Sequence, residues 1–112
     1  MYSTDEIMQF VTLVADVVDP DKIILFGSYG YGNPDENSDL DLLVIKNGKE
    51  ITIDDEAELA TGVFYKKRQM GIHTRYDIFF NTDEQVRKIA ERGGAFTDAL
   101  QKGQVLYERS YQ

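Results

Sequence analysis

Two short apolar runs constrain this chain more than any other feature. Ile23-Ile24-Leu25-Phe26 and Leu42-Leu43-Val44-Ile45 each hold four successive positions without a polar residue. Side chains along a strand alternate between faces, so a strand that is apolar at every position needs cover on both sides. The flanking segments have the pattern of that cover. Ser3–Val18 places Ile7, Phe10, Val11, Val14, Val17 and Val18 at the three-four spacing of an amphipathic helix. Ser3 and Glu6 have the spacing of a capping box, and Pro20 within Asp19-Pro20-Asp21 stops the helix before the first strand.

Gly27–Ser38 has no apolar periodicity and carries Gly27, Gly30 and Gly32 close together, which reads as a turn or loop. Asp39–Ile45 alternates at its start and then becomes wholly apolar, a second strand with a polar first end. Asn47-Gly48 followed by Lys49–Ile53 resembles a two-residue hairpin turn and a further strand. Asp55–Met70 is expected as a helix with Leu59, Val63 and Met70 on one stripe, weakened by Gly62. Arg75–Phe80 reads as a third strand, polar at its start and with Ile78-Phe79-Phe80 in the core. Thr82 and Gln85 form a capping-box spacing ahead of Val86, Ile89 and Ala90, and Gly93-Gly94 ends that helix. A helix over Ala95–Lys102 and a strand over Val105-Leu106-Tyr107 complete an α/β (α+β) domain spanning residues 1–112.

Composition narrows the function. A chain of 112 residues fits one domain with a core that needs no staples. It has no cysteine, which excludes disulfides, thiolate metal sites and a cysteine nucleophile, and its single histidine, His73, excludes a multi-histidine metal site. No apolar run approaches the roughly 20 residues of a membrane span, and Met1–Glu6 lacks the basic flank of a secretory signal, so the expected location is the cytoplasm, away from the membrane. The net charge of −8 argues against direct nucleic-acid binding. Residues 1–62 hold 14 acidic and 3 basic side chains, whereas residues 63–112 hold 6 and 9. The acidic half is either a solvated face or a source of ligands for divalent cations.

Asp39 and Asp41 stand two apart in an extended segment, so both carboxylates share a face. Paired carboxylates repel unless a cation joins them, and Mg²⁺ takes its oxygens from one or two carboxylates plus substrate phosphates. Asp-x-Asp alone is also common on solvated strand edges. Here ten residues separate it from Gly27-Ser28, where a glycine-rich turn at a strand end can aim backbone N–H groups at phosphate. The turn lacks the lysine of a P-loop and the spacing of a dinucleotide fingerprint. Asp77 is a third acid, set among apolar residues of the third strand. Beside the second strand it would meet Asp39 and Asp41, a set suited to two metal ions and in-line attack on a nucleotide phosphate, with Asp77 favouring deprotonation of the acceptor hydroxyl. An ion pair with Arg75 or another basic group is the other reading of Asp77.

Ile24-Leu25-Phe26-Gly27-Ser28, the ten-residue spacer, Ser38-Asp39-Leu40-Asp41-Leu42-Leu43-Val44 and Tyr76-Asp77-Ile78 resemble the minimal nucleotidyltransferases of the DNA polymerase β superfamily. The resemblance extends to the closing Gly103–Glu108. It implies a polymerase-β-like fold with a mixed sheet flanked by helices. It further implies that Gly27, Ser28 and Ser38 bind the nucleotide and that Asp39, Asp41 and Asp77 are catalytic and ligate Mg²⁺, as two ions. Small members of this family are often antitoxins of all-helical HEPN ribonucleases, so the implied reaction is transfer of AMP from ATP to a toxin tyrosine. The length of the chain leaves the acceptor to be supplied by such a partner. Where many relatives carry Ala-Arg-Gly after the Gly-Ser motif, this chain has Gly30-Tyr31-Gly32, without the cation. Lys66, Lys67 and Arg68 either replace it, contact a partner or form a solvated turn. Tyr29 and Tyr31 in the loop suit packing more than stacking on a base or self-modification. A non-catalytic antitoxin that acts by binding is the alternative; a small-molecule nucleotidyltransferase, which would need an oligomer to build its acceptor pocket, ranks third.

Overall fold

A computed structural model describes residues 1–110. In chain order the elements are α1 (Thr4–Val18), β1 (Lys22–Phe26), α2 (Gly27–Tyr31), β2 (Leu40–Ile45), α3 (Ile53–Gln69), β3 (Tyr76–Asn81), α4 (Asp83–Ala90), α5 (Ala95–Lys102) and β4 (Gln104–Glu108). The strands form one mixed sheet in the order β3-β2-β1-β4. β1 runs antiparallel to both β2 and β4, while β2 and β3 are parallel.

The two apolar runs are the central strands, and their alternation divides the core into two layers. Ile23, Leu25, Leu40, Leu42 and Val44 pack with Phe10, Val11, Val14 and Val18 of α1 and Val63 of α3. Ile24, Phe26, Leu43 and Ile45 face the other way, onto Val86 of α4 and Ala99 of α5. Burial of each large side chain contributes about 1.5–3 kcal/mol. Gly62, costly to helix propensity, serves this packing: a Cβ there would lie 3.2 Å from Val17 Cγ1, so it lets α3 approach α1 closely.

Three capping boxes set helix starts. In α1 the Ser3 hydroxyl accepts the Glu6 N–H at 3.1 Å and Glu6 Oε1 accepts the Ser3 N–H at 3.1 Å. Thr82 and Gln85 repeat the pattern at α4. The third, Thr52 with Asp55, replaces the expected hairpin: Lys49–Glu50 and the residues after it do not form a strand, and α3 begins at Ile53. The reason lies in the Asn47 polar groups. Its backbone N–H donates to Asp21 Oδ2 at 2.7 Å and its side chain donates to Asp83 Oδ2 at 2.7 Å, which leads the chain away from β2. α3 is then the crossover that a parallel β2–β3 pair requires.

Other expectations need correction. Gly27–Tyr31 is a short helix rather than loop. Met70 is an exposed C-cap, not part of the α3 core stripe. Of Ile78-Phe79-Phe80 only Phe80 is fully buried, because β3 is an edge strand: Phe79 on the α4/α5 side is exposed and Ile78 on the α1/α3 side is half-buried. For the same reason Asp77 is exposed and pays no desolvation cost in a core. Among the described residues no helix is long and apolar enough to cross a membrane.

Candidate active site

The end of β1 and the starts of β2 and β3 meet at one edge of the sheet. Phe26 pairs with Asp41, and Asp41 pairs with Asp77 on the neighbouring parallel strand. Alternation puts Asp39, Asp41 and Asp77 on the α4/α5 side of the sheet, at the corner where α2 begins. Gly27 opens α2 with φ +67°, a conformation that side chains rarely adopt, and a Cβ there would collide with the Asp41 carboxylate. Glycine is therefore required twice at this position, by the backbone and by the acid in front of it. The N–H groups of the first turn of α2 have no partners within the helix, and Gly27, which opens it, lies against the Asp41 carboxylate.

Like charges meet at this corner. Burial pushes the Asp41 carboxyl above its ordinary 3.8, and the nearby charges of Asp77 and Asp39 push it further. Asp39 is neutralised in part by Arg75, whose Nε donates to Asp39 Oδ1 at 2.9 Å. Arg75 was an expected partner of Asp77; it precedes β3 and reaches across to β2 instead. Ser38 lies next to the acids, but its hydroxyl donates to Asp35 Oδ1 at 3.2 Å and accepts the Asp35 N–H at 3.0 Å, closing the loop on itself.

Asp39, Asp41 and Asp77 offer carboxylate oxygens, the donor type that a hard divalent cation takes. Among the described residues no three Asp, Glu, His or Cys side chains are gathered into a ready cage. Asp41 nevertheless carries two like-charged neighbours, and the absence of a Cβ at Gly27 makes the room that its carboxylate occupies. That combination suits an ion such as Mg²⁺, which keeps several waters and completes its shell with substrate phosphates.

Lys66–Arg68 do not reach this corner. Lys67 Nζ stands 5.4 Å from the Tyr76 ring centroid, and that ring packs on Phe10 of α1, so the basic end of α3 lies on the other face of the sheet. His73 lines a surface cavity of about 220 Å³ with Phe64 and Arg68. A cavity of about 540 Å³ between Asn47-Gly48 and the first turn of α4 is at the far end of β2, and its Asn47 and Asp83 are spent on each other. Sequence reasoning missed Tyr2: its Oη accepts the Arg75 N–H at 2.8 Å, a contact across 73 residues that no local pattern announces.

The sequence profile described as "Nucleotidyltransferase domain" matches residues 7–105. The chain belongs to the nucleotidyltransferase-domain family. Its fold is similar to that of a protein from Sulfolobus solfataricus assigned as a nucleotidyltransferase, with a TM-score of 0.63 at 18% identity over 94% of this chain and 79% of the other. It is also similar to a chain of a toxin-antitoxin solved with AMP-PNP, with a TM-score of 0.55 at 19% identity over 95% and 75%. No curated protein sequence matches the chain. The mixed sheet with helices on both faces is thus the polymerase-β-like nucleotidyltransferase fold.

Proposed function

We propose that this nucleotidyltransferase-domain protein is a Mg²⁺-dependent antitoxin that transfers AMP from ATP to a tyrosine hydroxyl of a HEPN-family ribonuclease toxin. The observation that carries the reading is the register: Asp41 and Asp77 are paired neighbours on parallel strands, with Asp39 on the same face and the Gly27-Ser28 turn directly opposite. The toxin-antitoxin neighbour solved with AMP-PNP supports a toxin partner and an adenine nucleotide.

In this reading the first turn of α2, with Gly27 and Ser28, receives the triphosphate, and Ser38 borders it. Asp39 and Asp41 would hold the divalent cations, joined by Asp77. A bound cation neutralises the triphosphate and steadies the diphosphate leaving group. Asp77, the most open of the three, faces the acceptor and takes the proton of the tyrosine hydroxyl as its oxygen attacks the α-phosphorus. The bond from the α-phosphorus to the α–β bridging oxygen breaks, and AMP remains on the acceptor. The whole residue set, with one domain over 1–112, is part of the proposal.

Neutralisation by binding alone is the second reading, favoured by Gly30-Tyr31-Gly32, which brings no cation to the turn. Intact mass spectrometry of the partner that co-purifies from the native host separates them. AMP-sized increments with ATP and Mg²⁺, absent with the Asp39→Asn/Asp41→Asn protein, are expected. A partner that gains no mass, and stays neutralised by the double mutant, would establish the binding reading.

A further inference from the structure

The loop between α2 and β2 carries Asp39 at its end and has no regular structure from Gly32 onward. Its internal bonds tie Asp35, Asn37 and Ser38 to one another, which closes the loop but does not anchor it. The anchor is Arg75. Its Nη2 donates to the Glu36 carbonyl at 2.8 Å and to the Ser38 carbonyl at 3.5 Å, while Nε donates to Asp39 Oδ1 at 2.9 Å. A planar guanidinium with five donors in fixed directions can hold two carbonyls and a carboxylate together from separate nitrogens, whereas an ammonium has all its donors on one rotating nitrogen.

Arg75 is itself braced. Its backbone N–H donates to Tyr2 Oη, and its guanidinium lies 5.9 Å from the Tyr2 ring centroid. Tyr2 in turn donates its backbone N–H to Tyr29 Oη at 3.0 Å and stacks on that ring, with centroids 5.9 Å apart. Tyr29 directly follows Ser28 in α2. A path Tyr29–Tyr2–Arg75–Asp39 therefore links the glycine-serine turn to the first acid of the second motif, outside the sheet's own ladder.

We infer that Arg75, braced by Tyr2, is a positioning residue that sets Asp39 and residues 36–38 in place before a divalent cation and nucleotide bind. The inference rests on the proposed role of Asp39 as a cation ligand. Holding Oδ1 restricts rotation of the carboxylate, and hydrogen-bonded support of this kind commonly accounts for about 10- to 100-fold in metal affinity.

The test is equilibrium binding of Mn²⁺ with AMP-PNP, read from the free-Mn²⁺ electron paramagnetic resonance signal, with thermal midpoints recorded alongside. Arg75→Ala is expected to weaken Mn²⁺ binding about 10-fold or more. Arg75→Lys should recover only a small part of that loss. Tyr2→Phe, which removes one neutral acceptor, should weaken binding about two- to tenfold and supports the same conclusion if Arg75→Ala does not fold. All three should melt within a few degrees of the wild type, since Arg75 is half exposed, so that a merely structural effect would show in melting rather than in Mn²⁺ affinity. Unchanged or tighter Mn²⁺ binding in Arg75→Ala and Tyr2→Phe would overturn the inference, tighter binding marking Arg75 as a competitor for Asp39. Wild-type protein that binds no Mn²⁺, or Asp39→Asn that binds it as well as wild type, would instead overturn the ligand role of Asp39.

Discussion

Asp41 at the strand corner and Asp55 at the head of α3 are the same residue type under opposite electrostatic conditions. The Asp55 carboxylate accepts the Thr52 N–H at 3.0 Å, and that bond, with the Thr52 hydroxyl, holds its carboxyl below the ordinary 3.8. Asp41 is held above 3.8 by burial and by the charges of Asp77 and Asp39. Among the described residues no hydrogen-bond donor meets its carboxylate. One acid completes a local structure; the other is left with an electrostatic cost that a cation would remove. Unrelieved charge at a strand end, beside a glycine that clears space for it, separates the carboxylate proposed for the site from a structural one.

The comparison is broken most directly at the site. Asp41→Asn should lower AMP transfer by on the order of a thousandfold, the scale of several kcal/mol of charge stabilisation, while the circular dichroism spectrum stays native. Transfer at the wild-type rate would leave Asp41 no more functional than Asp55.

Gly27→Ala should follow in size. The left-handed backbone costs a residue with a Cβ about 1–2 kcal/mol, and the collision with Asp41 adds to it. A melting midpoint lowered by about 4–8 °C per kcal/mol is expected, with AMP-PNP affinity lost as well. Unchanged affinity would detach the turn from the site.

At the structural acid, Thr52→Ala should cost about 1 kcal/mol of stability in denaturant titrations through loss of the N-cap. AMP-PNP binding should not change, because α3 packs on the far face of the sheet.

The smallest effects are in pH dependence and carry opposite signs. For Asp41, with its folded value raised, the favourable contribution is fully present below the unfolded value near 3.8 and is lost as pH rises through the folded one. Asp41→Asn in chelator should therefore melt higher than wild type at neutral pH, the gap closing on acidification. For Asp55, with its folded value lowered, the contribution is present above 3.8 and is lost as pH falls through the folded value. Asp55→Asn should melt lower than wild type at neutral pH, and that gap also closes in acid. Melts across this range with the two variants side by side would show whether the carboxylates differ in the stated directions.

How much of this was legible depended on the range of the forces involved. The α1 and α4 caps were readable because Ser3–Glu6 and Thr82–Gln85 act within one helical turn. The Thr52–Asp55 box had the same physics, but Asn47-Gly48 carried a competing hairpin signal. Long-range bonds from Asn47 to Asp21 and Asp83 decided between them. The sequence offers Asp77 as a neighbour of Asp41, which the register bears out, but not its exposure, since a strand's pattern does not announce that it will lie at an edge.

The sequence by itself determined the two central strands, the helices that cover them, and the pairing of a glycine-serine turn with Asp-x-Asp. These follow from side-chain alternation, helical periodicity and backbone conformation, all set by neighbours along the chain. Only the tertiary structure decided that Arg75 takes Asp39, that Tyr2 braces it from 73 residues away, and that the Lys66–Arg68 cluster faces away from the acids. Those outcomes depend on strand order and on which helix covers which face, where packing of the whole core selects among contacts that local preferences leave open.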